Sequence, residues 1–353
     1  MSAAKQRQLR RNDYSLDEQQ QAVHEAFADF FTAECPSSRV RAAEPLGFDQ
    51  ALWGKVRELG AVSMAVPADR GGDGATLIDL VLVAEQYGRV LAPVPLIEAV
   101  AAARLLARLD ADAAADFLAA TLTGEMLPTL ALHQVGHDPR QIVPAGAVAR
   151  QVLALHGQEL VLITAAAPPE HVENMAHASL AWWDLSAQSG DRQVLAAGPR
   201  AVEAFAAAVR EWKLLTGAAL ASSGDDAVRL AVDFVSSRTA FGQLVGSFQA
   251  VANAIVDAAT AVSAARNLTR KAAWFAEYAP HERRELQPMA YLASARAAVQ
   301  AATTAVHVQG GFGFSVESDV TLHFRRAKGW SVLAGDPSRE LFDIAAHLPA
   351  SFQ

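Results

Sequence analysis

Residues 237–249 read Ser-Arg-Thr-Ala-Phe-Gly-Gln-Leu-Val-Gly-Ser-Phe-Gln. This stretch ends one long segment of helical apolar periodicity and opens another. It carries a lone cation, Arg238, an aromatic ring, Phe241, and an amide, Gln249. A second glycine-rich interruption, residues 307–314, reads His-Val-Gln-Gly-Gly-Phe-Gly-Phe. The two interruptions, in this order, are the main indication of both architecture and function.

Composition limits the kind of protein this is. The chain has 353 residues, of which 52% are apolar, so it is long enough for two or three domains around a sizeable core. The net charge is −8 and the basic residues are scattered, which predicts no nucleic-acid partner. No uncharged run approaches the roughly 18–20 residues that cross a bilayer, so no membrane span is predicted. The single cysteine, Cys35, excludes a disulfide framework, and we therefore predict a globular protein of the cytoplasm.

The N-terminal region, residues 1–126, is predicted to be a helical domain. Ser15 and Glu18 have the capping-box spacing, in which two side chains satisfy the free amides at a helix start. Residues 62–66 are predicted to be a short extended piece closed by a proline. Residues 77–90 are predicted to be a helix, and further helices follow after a proline-containing break.

The middle region, residues 127–199, is predicted to be a small antiparallel β domain. Short β-prone runs lie at 152–155, 159–164 and 179–185, separated by glycine and proline. From residue 200 to 353 the apolar residues again recur at steps of three and four, the pattern of a bundle helix, so a four-helix bundle is predicted. The expected fold class is mostly α with a small β insert.

Several short motifs occur in a characteristic order along the chain. They are Leu16-x-Glu18-Gln19, Trp53 with Glu58-Leu59-Gly60, Val66-Pro67 with Gly71-Gly72-x-Gly74, Glu85-x-x-Gly88-Arg89, Arg238-x-x-Phe241-Gly242 with Phe248-Gln249, and Gly310-Gly311-x-Gly313-Phe314 with Arg325-Arg326-Ala327-Lys328. Each motif alone is weak. In this order they resemble the acyl-CoA dehydrogenase family, in its short form, over nearly the whole chain.

The resemblance implies an FAD site that two subunits share. Arg238 matches the arginine that reaches the diphosphate of an FAD held mainly by the neighbouring subunit, and a guanidinium suits phosphate because it offers a rigid fork of donors. Phe241 matches an aromatic residue near the adenosine, and Gln249 matches an amide contact. Gly310 and Gly311 match a turn where the backbone approaches the cofactor closely, which a Cβ would obstruct.

The catalytic base of the family has no counterpart in the usual positions. Counting without gaps from the second glycine motif, the usual glutamate falls on Ala334. The alternative glutamate of some members falls on Trp212; Glu211 is adjacent, but one residue along a helix turns a side chain by about 100°. Glu211 and the two carboxylates that follow Ala334, Asp336 and Glu340, are the weak candidates for a proton acceptor.

Two further positions depart from the family pattern. The loop that cradles the flavin ring in most members is replaced by residues 131–138, Ala-Leu-His-Gln-Val-Gly-His-Asp, which do not supply the same hydroxyls. His307 stands where a glutamine is usual and can still donate a hydrogen bond. Within the loop, His133 and His137 have the spacing of a helical metal site, but Gly136 argues against a helix, and no metal site is predicted.

The expected chemistry is the α,β-dehydrogenation of an acyl-CoA thioester. A carboxylate takes the α-proton while the flavin accepts a hydride, and a general base is typically worth about 10²–10⁴-fold in rate. The chain therefore resembles the base-lacking subunit of heteromeric acyl-CoA dehydrogenases. This resemblance implies a heterotetramer in lipid metabolism, with a base-bearing partner and an electron-transfer flavoprotein as acceptor. The alternatives are a homodimer with an atypical carboxylate base, or a structural subunit that only completes the partner's FAD site.

Overall fold

The computed structural model describes residues 15–136, 139–186, 188 and 190–348. The described chain is mainly helical with a small β region, which confirms the predicted fold class. It divides into two compact units. One comprises Met1–Ser38, Leu77–Ala92 and Lys213–Gln353, and the other comprises Arg39–Thr76 and Pro93–Trp212. The predicted division into three domains at residues 126 and 199 stays a prediction.

Helices make up more than half of the described chain. They are α1 (Glu18–Glu34), α2 (Ser37–Ala42), α3 (Gln50–Glu58), α4 (Leu77–Val90), α5 (Leu96–Ala107), α6 (Asp112–Thr123), α7 (Pro199–Ser237), α8 (Gln249–Tyr278), α9 (Leu286–Gln309), α10 (Val320–Trp330) and α11 (Pro337–His347). The predicted helix over 77–90 is α4. None of the helices in the described part of the chain combines the length and the apolar character that crossing a bilayer requires.

The strands form three small sheets. They are β1 (Pro128–Leu130), β2 (Arg140–Val143), β3 (Gln151–His156), β4 (Glu159–Thr164), β5 (Ala181–Asp184), β6 (Asp191–Ala197), β7 (Thr239–Ala240) and β8 (Gln243–Leu244). The largest sheet has the order β1-β3-β4-β6, while β2 pairs with β5 and β7 with β8.

The expectation of a purely antiparallel β domain is wrong in one pairing, because β1 runs parallel to β3. A hairpin cannot join two parallel neighbouring strands, so a longer crossover connection must link them. Here the connection between β1 and β3 contains β2, which pairs with β5 in a separate sheet. The remaining pairings, β3 with β4 and β4 with β6, are antiparallel as predicted.

Two local predictions are corrected near the N-terminus. The capping box at the start of α1 is formed by Asp17 and Gln20, not by Ser15 and Glu18: the Asp17 carboxylate accepts from the Gln20 amide, and the Gln20 side chain accepts from the Asp17 amide. Residues 62–66 are not extended, because Ser63–Ala65 forms a 3₁₀ turn. Short polar residues on either side of a boundary satisfy the same cap, so spacing alone does not select the right pair.

Helix α4 is the buried centre of the first unit and packs against α1 and α8. Its Glu85 carboxylate accepts two hydrogen bonds from Arg270 on α8, at 2.9 and 2.7 Å. One turn later, Gly88 lies directly against the backbone of α7, since a Cβ built on it would stand 2.1 Å from the carbonyl oxygen of Ala219. Close approach of the two backbones therefore requires glycine at position 88.

A side chain at position 88 is expected to destabilise the protein. Gly88→Ala should lower the free energy of unfolding by about 2 kcal/mol or more, because the added methyl group meets backbone that cannot move aside. The measurement is denaturant unfolding of the purified chain.

Gly54→Ala is the matched control. Gly54 also lies inside a helix, α3, but its built Cβ meets nothing within 4 Å. We expect this substitution to be neutral or to stabilise by up to about 1 kcal/mol through helix propensity. Equal effects of the two substitutions would contradict the close backbone approach at Gly88.

Candidate functional site

The residue predicted to contact a phosphate, Arg238, directly follows α7 and is exposed. Its amide donates to the carbonyl of Phe234, and its carbonyl accepts from Val245, which fixes the backbone at the start of the β7–β8 hairpin. At the tip of that hairpin Phe241 has a φ of +52° and a side chain that is 97% exposed. Its ring makes an edge-on contact with Phe248 at 6.3 Å. The segment therefore presents a cation and an aromatic ring on a short, defined turn.

The second glycine motif forms a 3₁₀ turn, Gly310–Phe314, at the end of α9. Gly310 has φ +62° and ψ −137°, a conformation that favours glycine. A Cβ on Gly310 or Gly311 would face open space, whereas one on Gly313 would stand 2.4 Å from the carbonyl oxygen of Val306. Gly313 is therefore required by internal packing, while Gly310 and Gly311 leave the backbone open to a ligand. His307 is exposed in the last turn of α9.

A ring stack links the end of α7 to the second glycine motif. Phe234, near the end of α7, stacks on Phe312 in the turn after α9, with 6.2 Å between ring centroids and 8° between planes. Gln249, the first residue of α8, is exposed, and so are Phe314 at the end of the turn and Val316 beyond it, at 77% and 74%. An exposed guanidinium, an open glycine backbone and exposed apolar side chains suit a diphosphate nucleotide such as FAD and a covering partner.

The position that the family resemblance assigns to the usual catalytic base is Ala334, whose side chain is a methyl group. Ala334 lies in the turn between α10 and α11 and is 8% exposed, and Gly335 follows with a φ of +96°. Tyr291 holds this turn, since its hydroxyl donates to the carbonyls of Trp330 and Ser331, at 3.2 and 3.1 Å. Burial raises the pKa of Tyr291 well above its ordinary value of 10. No proton acceptor is therefore supplied at position 334.

The weaker candidates after Ala334 differ in their surroundings. Asp336 is exposed. Glu340, on α11, is 3% exposed, and its Oε1 lies 2.5 Å from Nζ of Lys213 on α7. Its Oε2 is buried and has no hydrogen-bond partner among the described residues. Glu340 is thus the carboxylate with a spare acceptor atom.

Glu211 is held by two guanidinium groups, those of Arg104 on α5 and of Arg108, which directly follows α5. Its Oε2 accepts from Nε of Arg104 at 2.9 Å, and its Oε1 accepts from Arg104 and from Arg108. Burial alone would raise the pKa of Glu211, but the charges of Arg108 and Arg104 outweigh it and lower the pKa to about 2. A carboxylate of such low basicity is a poor acceptor for a substrate proton, which argues against Glu211 as the base.

Trp212, where the alternative base would stand, is 1% exposed. Its indole Nε1 donates to Oε1 of Glu98 on α5, at 3.2 Å. Burial raises the pKa of Glu98. The pKa values of the two buried carboxylates shift in opposite directions, because guanidinium charges outweigh burial at Glu211 whereas burial dominates at Glu98.

Consecutive residues of α7 are therefore each held by a polar bond: Glu211 by two arginines, Trp212 by Glu98 and Lys213 by Glu340. Sequence analysis missed the partners. Arg104, in the last turn of α5, and Arg108, directly after α5, are four residues apart, and this spacing was a visible signal. No local pattern indicated that Glu98 would meet a residue 114 positions away.

The loop in place of the flavin-ring segment is tied to the β region. Val135 forms an isolated bridge with His156, and the Gln134 side chain donates to the carbonyl of Gly157 at 2.9 Å. His137 and Asp138 lie outside the described residues. The side chain of His133 is exposed.

Two family models match the chain. Residues 17–125 match the model described as "Acyl-CoA dehydrogenase, N-terminal domain", and residues 204–348 match "Acyl-CoA dehydrogenase, C-terminal domain".

Individual proteins are similar over nearly the whole length. Acyl-CoA dehydrogenase IpdE2 of Mycobacterium tuberculosis is 28% identical over 92% of this chain and 95% of its own. A crystal structure of the ChsE4-ChsE5 complex from the same species has a TM-score of 0.84 at 25% identity, covering 96% of this chain and 100% of the matched chain. Butyryl-CoA dehydrogenase from Megasphaera elsdenii has a TM-score of 0.78 at 19% identity, covering 95% and 99%, and shows the common fold.

The ion pairs of Glu211 are expected to make stability depend on pH. Its folded pKa is about 2 against an ordinary 4.5, so the stabilisation is complete above pH 4.5 and is lost as the pH falls from 4.5 toward 2. Glu211→Gln should therefore cost about 3 kcal/mol at pH 7 and much less near pH 2.5. Urea unfolding at both pH values measures the difference from the unsubstituted chain.

Glu159→Gln is the control, because Glu159 forms an exposed pair with Arg192. We expect it to change stability by less than about 1 kcal/mol at either pH. A cost for Glu211→Gln that stays constant with pH would contradict the assigned ion pairs.

Proposed function

We propose the following function for this chain, which belongs to the acyl-CoA dehydrogenase family, a family of FAD-dependent oxidoreductases. The chain acts as the base-lacking subunit of a heteromeric, cytoplasmic enzyme that oxidises an acyl-CoA thioester in lipid metabolism. It contributes Arg238 and the glycine turn to an FAD site, and its partner contributes the proton acceptor. Electrons leave to an electron-transfer flavoprotein.

The cofactor half of this proposal rests on the exposed surface around Arg238. The guanidinium offers donors for the diphosphate, Phe241 is available to the adenosine, and the open backbone of Gly310 and Gly311 admits close approach. Gln249 and His307 would add polar contacts at the same site. When bound, FAD supplies the hydride acceptor. The exposed Phe241, Phe314 and Val316 favour a second subunit that covers them.

The need for a partner rests on the missing base, the single observation that carries the proposal. Ala334 has no proton acceptor, and Trp212 occupies the alternative position. Adjacent Glu211 is held with a pKa of about 2. The similarity to a chain of the ChsE4-ChsE5 complex supports an assembly with a second dehydrogenase-like subunit.

A second candidate function is a homodimer that uses Glu340. Its spare Oε2, buried and without a partner among the described residues, is the observation in its favour. Against it, the other oxygen, Oε1, is already paired with Nζ of Lys213 at 2.5 Å inside the chain. The remaining alternative is a non-catalytic subunit that only completes the partner's FAD site. Such a subunit would make the same cofactor contacts but no contact with the acyl group.

Loss of the guanidinium is expected to weaken FAD retention. Arg238→Ala in the native assembly should release FAD at least about tenfold more readily on dilution, since a charge-assisted contact to phosphate is worth about 1.5–3 kcal/mol. Absorbance of the flavin that remains after gel filtration measures the effect. Arg238→Lys should show an intermediate loss because the fork geometry is gone.

Arg229→Ala is the control for this experiment. Arg229, on α7, is an exposed arginine like Arg238, but it pairs with Asp226 and Asp233. Its removal should leave flavin retention unchanged. Equal flavin content in the Arg238→Ala and Arg229→Ala samples would count against the cofactor contact.

The chain by itself is expected to be a poor dehydrogenase. Relative to the assembly with its partner, turnover with a dye acceptor should be lower by about 10²–10⁴-fold, the usual contribution of a general base. Glu340→Gln should not lower it further. A yellow homodimer with full activity that Glu340→Gln abolishes would establish the second candidate instead.

A further inference from the structure

We infer that His24, Gln86 and Arg89 form an acid-sensitive contact between α1 and α4, which opens when the His24 imidazole takes up a proton. His24 lies on α1, and Gln86 and Arg89 lie on α4. Two hydrogen bonds join the three side chains, and they allow only one arrangement of donors and acceptors. The contact is separate from the residues that the proposed function uses.

Arg89 decides the orientation of the Gln86 amide. Nε of Arg89 lies 2.9 Å from Oε1 of Gln86. A guanidinium has donors only and keeps its proton in proteins, so the atom that faces it must be the amide oxygen. The NH₂ group of Gln86 therefore faces the other way, toward His24.

The amide orientation in turn decides which nitrogen of His24 carries a proton. Nε2 of Gln86 lies 2.9 Å from Nε2 of His24, and an amide NH₂ group can only donate. Nε2 of His24 must therefore accept, so the ring is neutral and its one proton is on Nδ1. That Nδ1 is buried and has no hydrogen-bond partner among the described residues.

A second proton on His24 is incompatible with these contacts. An imidazolium carries an N–H on both nitrogens, so its Nε2–H would point at the NH₂ group of Gln86. Turning the amide over would relieve this clash but would place the NH₂ group against Nε of Arg89. Because Gln86 is only 5% exposed, water does not replace the lost partner. Protonation therefore costs one hydrogen bond in either arrangement.

The charged groups around His24 do not compensate the added charge. On α1 the residues one turn away, at positions 20, 21, 27 and 28, are uncharged, and Glu25 is turned about 100° around the helix. On α4, Arg89 is itself a cation, and the Glu85 carboxylate is bonded to Arg270 of α8. A protonated His24 would thus face donors and a like charge.

The buried His323 on α10 shows the opposite arrangement. Its Nε2 lies 3.2 Å from Oδ2 of Asp226, and its Nδ1 lies 3.0 Å from Oγ of Ser223. A carboxylate accepts from either protonation state, and a hydroxyl can donate or accept, so both states of this ring keep two hydrogen bonds. Acid sensitivity is therefore a consequence of the donor groups around His24 and not of burial alone.

Breaking the contact loosens α1 on α4. Arg89 also holds α1 directly, since its Nη2 lies 3.2 Å from the carbonyl oxygen of Ala28 and 2.8 Å from Oγ1 of Thr32. An imidazole in water titrates near pH 6.5, so below that pH His24 gains a proton when α1 moves away from α4. The state that binds more protons is favoured as the pH falls. The contact is therefore complete at neutral pH and weakens below about pH 6.5.

Hydrogen–deuterium exchange of α1 in the full chain at pH 7.5 and pH 5.5 tests the inference. After correction for the intrinsic pH dependence of exchange, protection of the α1 amides should fall by about two- to tenfold at pH 5.5, the effect of one lost hydrogen bond. Both pH values lie above 4.5, where Glu211 begins to take up a proton, so its ion pairs do not contribute.

Three variants isolate the imidazole from the other histidines. His24→Gln supplies an oxygen that accepts from Gln86 but does not titrate, so the fall should disappear. Gln86→Glu supplies a carboxylate that accepts from both Arg89 and a protonated His24, so acidification should no longer reduce protection. His281→Gln is the control, because His281 is an exposed histidine in the connection between α8 and α9. This variant should keep the full pH response.

A change in α1 protection of less than about twofold in the unsubstituted chain would overturn the inference. An equal fall in the His24→Gln variant would overturn it too, because the response would then come from another group. The same holds for a fall that persists in a folded Gln86→Glu variant. If Gln86→Glu fails to fold, the comparison of the unsubstituted chain with His24→Gln decides the outcome.

Discussion

The ion pairs of Glu211 with Arg104 and Arg108 determine whether the middle of helix α7 can supply a proton acceptor. Two guanidinium groups compensate the burial of one carboxylate and hold its pKa at about 2, so this acid stays charged and bonded. The neighbouring residues Trp212 and Lys213 are held in turn by Glu98 and Glu340. The segment of α7 that the family resemblance aligns with an acceptor position is here buried and bonded within the protein.

The cofactor side is organised in the opposite way. Arg238 is exposed, Phe241 is almost fully exposed, and Gly310 leaves open space in front of its backbone. Exposed groups of this kind are available to a partner, whereas Glu211, Trp212 and Lys213 of α7 are already bonded within the chain. The chain thus combines a buried, internally bonded segment of α7 with an exposed surface that we propose for the nucleotide, an arrangement that favours a subunit working with a different partner.

Sequence patterns predicted those features that depend on neighbouring residues. The helix over 77–90 and the strands β3 and β4 follow from apolar periodicity, and the short motifs were sufficient to indicate the family. The capping box was displaced by two residues because Asp17 and Gln20 satisfy the same amides as Ser15 and Glu18 would. The parallel β1–β3 pairing and the bond between Trp212 and Glu98 join distant segments, which no local pattern specifies.

A crystal structure of the native assembly with bound FAD tests the central claim most directly. We predict that the Arg238 guanidinium lies about 3 Å from oxygens of a flavin diphosphate whose isoalloxazine ring is held by a different chain, and that this other chain carries the carboxylate beside the acyl α-carbon. An Arg238 side chain in bulk water with no nucleotide nearby, or a homo-oligomer in which this chain alone surrounds both flavin and thioester, would contradict the account.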